Sequence, residues 1–148
     1  TKFDYIFMND VFEHVSNPEQ ILSTLKKKLN GPNSKIFIDT PCQFWLYPFT
    51  KLFSKSIHTK LLRGTVDYDH QQIWSKESFN HVIREAGFKV IKYLELSEFT
   101  QPAEFYLDNM KIKNWLIRFI GKIFLKMAPY IAKNKIMAVL SISDDVKL

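Results

Sequence analysis

The sequence predicts an α/β fold, a single domain built on a largely parallel sheet covered by helices on both faces. Three observations predict it. Short apolar runs alternate with segments of helical period along most of the chain. The helical segments carry capping and stop signals at their ends. With 148 residues, the chain has the length of one domain able to bury a core.

The first element, "FDYIFMND", is a nearly unbroken apolar and aromatic run ending in polar residues, as a buried strand does. "SNPEQILSTLKKKLNG" reads as a helix. Asn17 is placed to cap it, Pro18 falls at its first position, Glu19 and three lysines suit the two ends of the dipole, and Gly31 follows. Ile21, Leu22, Leu25 and Leu29 give that helix one apolar face. "SKIFIDTP" is a second strand stopped by Pro41. Residues 42–74 have no clean period and many aromatics, the mark of an excursion that covers a ligand site. "SKESFNHVIREAGF" is a helix with Ser75 as N-cap and Gly87 as stop, and "FKVIKYLEL" and "KIMAVLSIS" are strands. Between these strands lies a helical insert, about residues 103–134, read as a basic amphipathic helix interrupted at Pro129.

Composition narrows the function classes. The lone cysteine, Cys42, can form no internal disulfide and no CxxC metal site, and a reducing, cytoplasmic setting fits. The net charge is +6. Residues 109–143 hold seven lysines and arginines and no acidic residue, so the rest of the chain is close to neutral. Charge confined to one helix argues against a nucleic-acid-coating protein. Thr1 opens the chain directly before a strand, which reads as entry partway through a domain.

The segment "NDVFEHV" delivers Asp10, Glu13 and His14 at a strand's carboxyl end, where ligands bind in open α/β sheets. On a helical turn the three share one face.

The ordered set "FDYIFMNDVFEHVSNPEQILSTLKKKLNGPNSKIFIDTP" and "HQQIWSKESFNHVIREAGFKVI" resembles the C-terminal half of class I S-adenosylmethionine-dependent methyltransferases. The similarity is strongest to the branch holding ubiquinone-biosynthesis O-methyltransferases. The resemblance implies a Rossmann-like fold whose sheet is mostly parallel with a reversed last strand, here residues 136–143. It implies S-adenosylmethionine as cofactor and O-methylation of a small or lipid-linked acceptor. The family's glycine-rich loop has no counterpart among the four scattered glycines of this sequence. Residues 1–148 thus read as the C-terminal part of one methyltransferase domain, a piece expected to be inactive alone.

Carried over by position, Asn9 contacts the cofactor, while Phe44, Trp45 and Tyr47 contact the acceptor. His14 and His70 are candidates for the general base, since an imidazole titrates near neutrality. Some relatives with an acidic-x-x-Glu-His pattern hold a divalent metal, which makes Asp10, Glu13, His14 and His70 candidate ligands; mixed imidazole and carboxylate donors favour Mn, Fe or Zn. The basic insert, residues 111–133, is too short in its apolar runs to span a bilayer, yet it suits peripheral contact with an anionic membrane. The exposed side of the first strand favours pairing with a second copy. The reading from a different class is a non-catalytic module that binds a membrane or a partner.

Overall fold

The computed structural model of the chain describes residues 1–43, 70–97 and 99–143. Among the described residues four strands form one sheet: β1 (Tyr5–Asn9), β2 (Lys35–Pro41), β3 (Phe88–Leu96) and β4 (Lys135–Ile142). Their spatial order is β1-β2-β4-β3. β1 and β2 pair in parallel, whereas β4 runs antiparallel to both β2 and β3. Three strands therefore share one direction and the last is reversed, the α/β arrangement expected from the sequence.

Two helices pack on this sheet, α1 (Pro18–Lys28) and α2 (Lys76–Glu85). The Asn17 side chain accepts the Gln20 amide at 3.0 Å and satisfies an otherwise orphaned donor at the start of α1. Ser75 and Ser78 form a reciprocal capping box on α2. Beyond α2, Gly87 adopts φ 76°, a left-handed conformation that glycine enters without a Cβ clash. The strands alternate as the pleat requires: Ile36, Ile38, Ile136, Ala138 and Leu140 point inward to Leu22, Phe79 and Ile83 of the two helices.

Among the described residues these helices cover one face of the sheet, where the sequence led us to expect cover on both. The reason lies in handedness. The connections β1 to β2 and β2 to β3 step the same way across the sheet, and right-handed crossovers stepping one way place their helices on one side. On the other side Phe7 stacks on Phe37 with ring centroids 4.6 Å apart, and Tyr5, Met137 and Leu94 are exposed.

The insert also differs from expectation. It forms two helices, α3 (Ala103–Asn109) and α4 (Trp115–Ile131), with the break at 110–114 rather than at Pro129. Lys111 takes φ 55°, which ends the first helix, and the Asn114 side chain caps the second by accepting the Leu116 and Ile117 amides. Pro129 lies inside the end of α4. The two helices meet through their own small core of Phe99, Leu107, Leu125, Ala128 and Ala132, separate from the core beneath the sheet. Gly121 permits the approach, since a Cβ there would lie 2.8 Å from a Leu107 methyl carbon. Arg118 and Lys122 of α4 reach across to Asp108 and Glu104 of α3.

Candidate active site

The site grows from the end of β1. Asp10 takes φ 48°, a conformation that Asp tolerates better than most residues, while its amide donates to the Asp39 carbonyl at 2.9 Å. The chain then tightens into a 3₁₀ turn, Phe12–His14. Phe12 anchors this turn. It is fully buried, stacked on Trp74 at 4.9 Å and edge-on to Phe79 at 5.9 Å.

With Phe12 fixed, Glu13 is drawn inside, its residue only 1% exposed. A buried carboxylate needs hydrogen-bond partners, and the Thr40 hydroxyl supplies one, donating to Oε2 at 2.9 Å. The other oxygen, Oε1, lies 3.9 Å from Nε2 of the exposed His14.

His70 arrives from the far end of the excursion. Cys42 and Trp74 form an isolated parallel bridge, and the Gln43 amide donates to the Trp74 carbonyl at 2.7 Å. The amides of Gln71 and Gln72 donate to the Glu13 carbonyl at 2.8 and 2.9 Å. This lacing sets the His70 ring 4.8 Å from that of His14, edge to face. Nδ1 of His70 is buried and has no hydrogen-bond partner among the described residues. Glu13, His14 and His70 each present a ligand atom, all within 4.8 Å of one another.

The fourth residue of the sequence-derived set, Asp10, is not in this group. Its carboxylate accepts from Lys135 Nζ at 2.9 Å, and Lys135 also lies 3.3 Å from Asp39. Burial alone would lower the Lys135 pKa, but Asp10 and Asp39 outweigh it and hold the ammonium above its usual value. Asn9 closes β1 opposite Asp39 and is exposed. Phe44, Trp45 and Tyr47 lie outside the described residues.

A cleft of about 290 Å³ opens near the carboxyl ends of β2 and β3, lined by Cys42, Gln43, Lys76, Tyr93, Glu95, Ile131 and Lys133. Lys76 pairs with Glu95 at 3.3 Å and sits 4.7 Å from the Tyr93 ring centroid. Burial, reinforced by Cys42, Glu95 and Glu77, pushes the Tyr93 hydroxyl well above its usual pKa, so it stays a hydrogen-bond donor at neutral pH.

Chemically, a carboxylate beside two imidazoles can do two things. It can stabilise an imidazolium formed when a hydroxyl surrenders its proton, or it can complete a nitrogen and oxygen donor set for a divalent cation. Sequence reasoning missed Thr40 as the partner of Glu13 and Lys135 as the partner of Asp10. For Thr40 the available signal was its alternation with the inward-facing Ile36 and Ile38.

The family described as "Methyltransferase domain" matches residues 1–93, and the chain belongs to that family. Solved structures show the same fold at low identity. A protein described as a methyltransferase from Bacillus halodurans superposes with a TM-score of 0.54 at 14% identity, covering 95% of this chain and 70% of that one. A SAM-dependent methyltransferase from Archaeoglobus fulgidus gives 0.53 at 20%, covering 96% and 60%. Phosphoethanolamine N-methyltransferase 2 of Haemonchus contortus, solved with S-adenosyl-L-methionine, gives 0.55 at 16%, covering 96% of this chain and 34% of that protein. No curated protein sequence matches the chain. The ubiquinone-branch likeness is not among these matches.

Proposed function

We propose that this chain forms the acceptor side of an S-adenosylmethionine-dependent methyltransferase that methylates an oxygen of a small or lipid-linked molecule. Family membership supports methyl transfer, and one observation supports oxygen as its target. Glu13, His14 and His70 converge at the carboxyl end of a strand in this fold, where an imidazole can take the proton that a hydroxyl must lose. In this reading His70, whose Nδ1 has no other partner among the described residues, accepts the proton. The Glu13 carboxylate, held by Thr40, has its ligand atom within 4.8 Å of those of both imidazoles, and His14 flanks the acceptor. Asn9, at the adjacent strand end, lies on the cofactor side in this reading.

The decisive test uses the full reading frame that carries this sequence, incubated with methyl-labelled S-adenosylmethionine and separate lipid and water-soluble extracts of the source cells. Label in a base-stable ether on one fraction supports the reading and names the acceptor class. Label on nitrogen, or none with cofactor bound, removes it.

The same donor set supports a second reading, a bound divalent metal. The residues fit: two imidazoles and a carboxylate within 4.8 Å, one nitrogen of them buried without a partner among the described residues. Glu13, His14 and His70 would hold the ion, and Asp10 would join only by leaving Lys135. Such an ion supplies Lewis acidity toward the acceptor hydroxyl. Calorimetric titration with Mn or Zn, repeated on His70→Ala, separates the two readings: heat lost with the ring supports the metal, no heat leaves the metal-free base.

A further inference from the structure

The helical insert turns the wrong way for a helix that serves only the fold. α4 packs on α3 through Gly121, Leu125 and Ala128, its small and inner positions, with Arg118 and Lys122 bonded to α3 carboxylates beside them. The bulky side points out: Leu116, Phe119, Ile120, Ile123, Phe124 and Met127 are all exposed. At 100° per residue these six fill a wide sector opposite the packed stripe. A core-facing helix would show the reverse.

The ends and borders of that sector have a definite chemistry. Trp115 and Tyr130 stand 76% and 80% exposed, roughly 22 Å apart along the axis, as amphipathic aromatics do at a membrane surface. Lys126 borders the sector, and Lys111 and Lys113 precede the helix; all three are exposed and form no ion pair among the described residues. No acidic residue occurs from 109 to 143. No helix among the described residues is long and apolar enough to cross a membrane.

We infer that α4 is a docking surface for an anionic lipid bilayer, lying in the interface plane with Phe119, Ile120, Ile123 and Met127 inserted and Lys113 and Lys126 at the headgroups. Charge complementarity selects this occupant. A second copy docked by a two-fold axis would set these like-charged borders against each other, whereas an anionic leaflet is attracted by them. Lysine stems at the sector's border reach outward to headgroups while covering apolar surface. The surface is independent of the methyl-transfer chemistry, and its test reads no methyl transfer.

The test is co-sedimentation of the full chain with phosphatidylcholine vesicles with and without phosphatidylglycerol. Binding at least about tenfold stronger with phosphatidylglycerol, weakened by salt, is the expected result. Ile120→Glu with Ile123→Glu abolishes it, and Lys126→Gln weakens it about fivefold. Both isoleucines are exposed, so the fold tolerates the change, which circular dichroism checks. Ile91→Glu, at an exposed apolar position on β3, is the control and leaves binding intact. Equal binding to both vesicle types, no binding to either, equal loss in the Ile91 control, or a dimer in light scattering that Ile120→Glu dissolves would each overturn the assignment.

Discussion

Asp10 and Glu13 leave the same strand three residues apart and enter opposite environments. Glu13 is sealed beneath the 3₁₀ turn, with Thr40 on one oxygen and His14 near the other. Asp10 stays at the surface, paired with Lys135 from a strand 125 residues away. The separation comes from the backbone. The left-handed Asp10 diverts the chain, and Phe12 fixes the new direction by burying itself against Trp74 and Phe79. A carboxylate's role here is set by which neighbouring aromatic anchors it, more than by its spacing from the next acid.

The largest effect should follow from removing that anchor. Phe12→Ala deletes a fully buried ring from a three-aromatic cluster and should cost about 3–5 kcal/mol, read from denaturant unfolding. It should also expose Glu13, and with it collapse the distinction between the two acids. An unfolding midpoint within error of the parent would mean that the turn is held by something other than this ring.

The next effects act on the inner acid and its ring partner. Under the proposed chemistry, His70→Ala should lower methyl transfer about 10²–10⁴-fold while leaving cofactor affinity unchanged. Glu13→Ala leaves the buried Thr40 hydroxyl without its acceptor, and should cost about 1–3 kcal/mol as well as activity. Glu13→Gln retains an acceptor oxygen, so it should recover most of the stability but little of the activity. If Gln restores both, the charge of Glu13 has no part in the chemistry and the residue is only a structural peg.

The comparison also shows what the sequence could and could not say. Strand ends, the Asn17 and Ser75 caps and the Glu13 and His14 pair were legible because each rests on contacts within a few residues. His70 could be placed with them only through a family resemblance, since its position depends on amide bonds from residues 71 and 72 to Glu13. Asp10 was misplaced: the i, i+3, i+4 spacing assumes a regular helical turn, and φ of 48° breaks it. Its pairing with Lys135 depends on β4 lying beside β2, a register no local pattern encodes. The same limit governs α4. Periodicity reveals an apolar face, but whether that face is packed depends on the partner, and only the small residues Gly121 and Ala128 hinted that the opposite stripe was the buried one.

The smallest effect belongs to the outer acid and has a sign that pH can test. Asp10 is more than half exposed, so Asp10→Asn should cost no more than about 1 kcal/mol. The contribution is carried by Lys135, whose folded pKa is raised above the unfolded value of about 10.4. A raised pKa means that the folded state binds its proton more tightly, so this stability is fully present below about pH 10 and is lost as pH climbs through the folded pKa. The gap in unfolding midpoint between parent and Asp10→Asn should therefore stay constant from near neutrality to about pH 10 and narrow above it. Tyr93, raised by burial, also loses its contribution at alkaline pH, but equally in both proteins, and so cancels from the difference. A gap that opened rather than closed above pH 10 would show that Asp10 is held by a group other than the ammonium, and the contrast between the two acids would have to be drawn elsewhere.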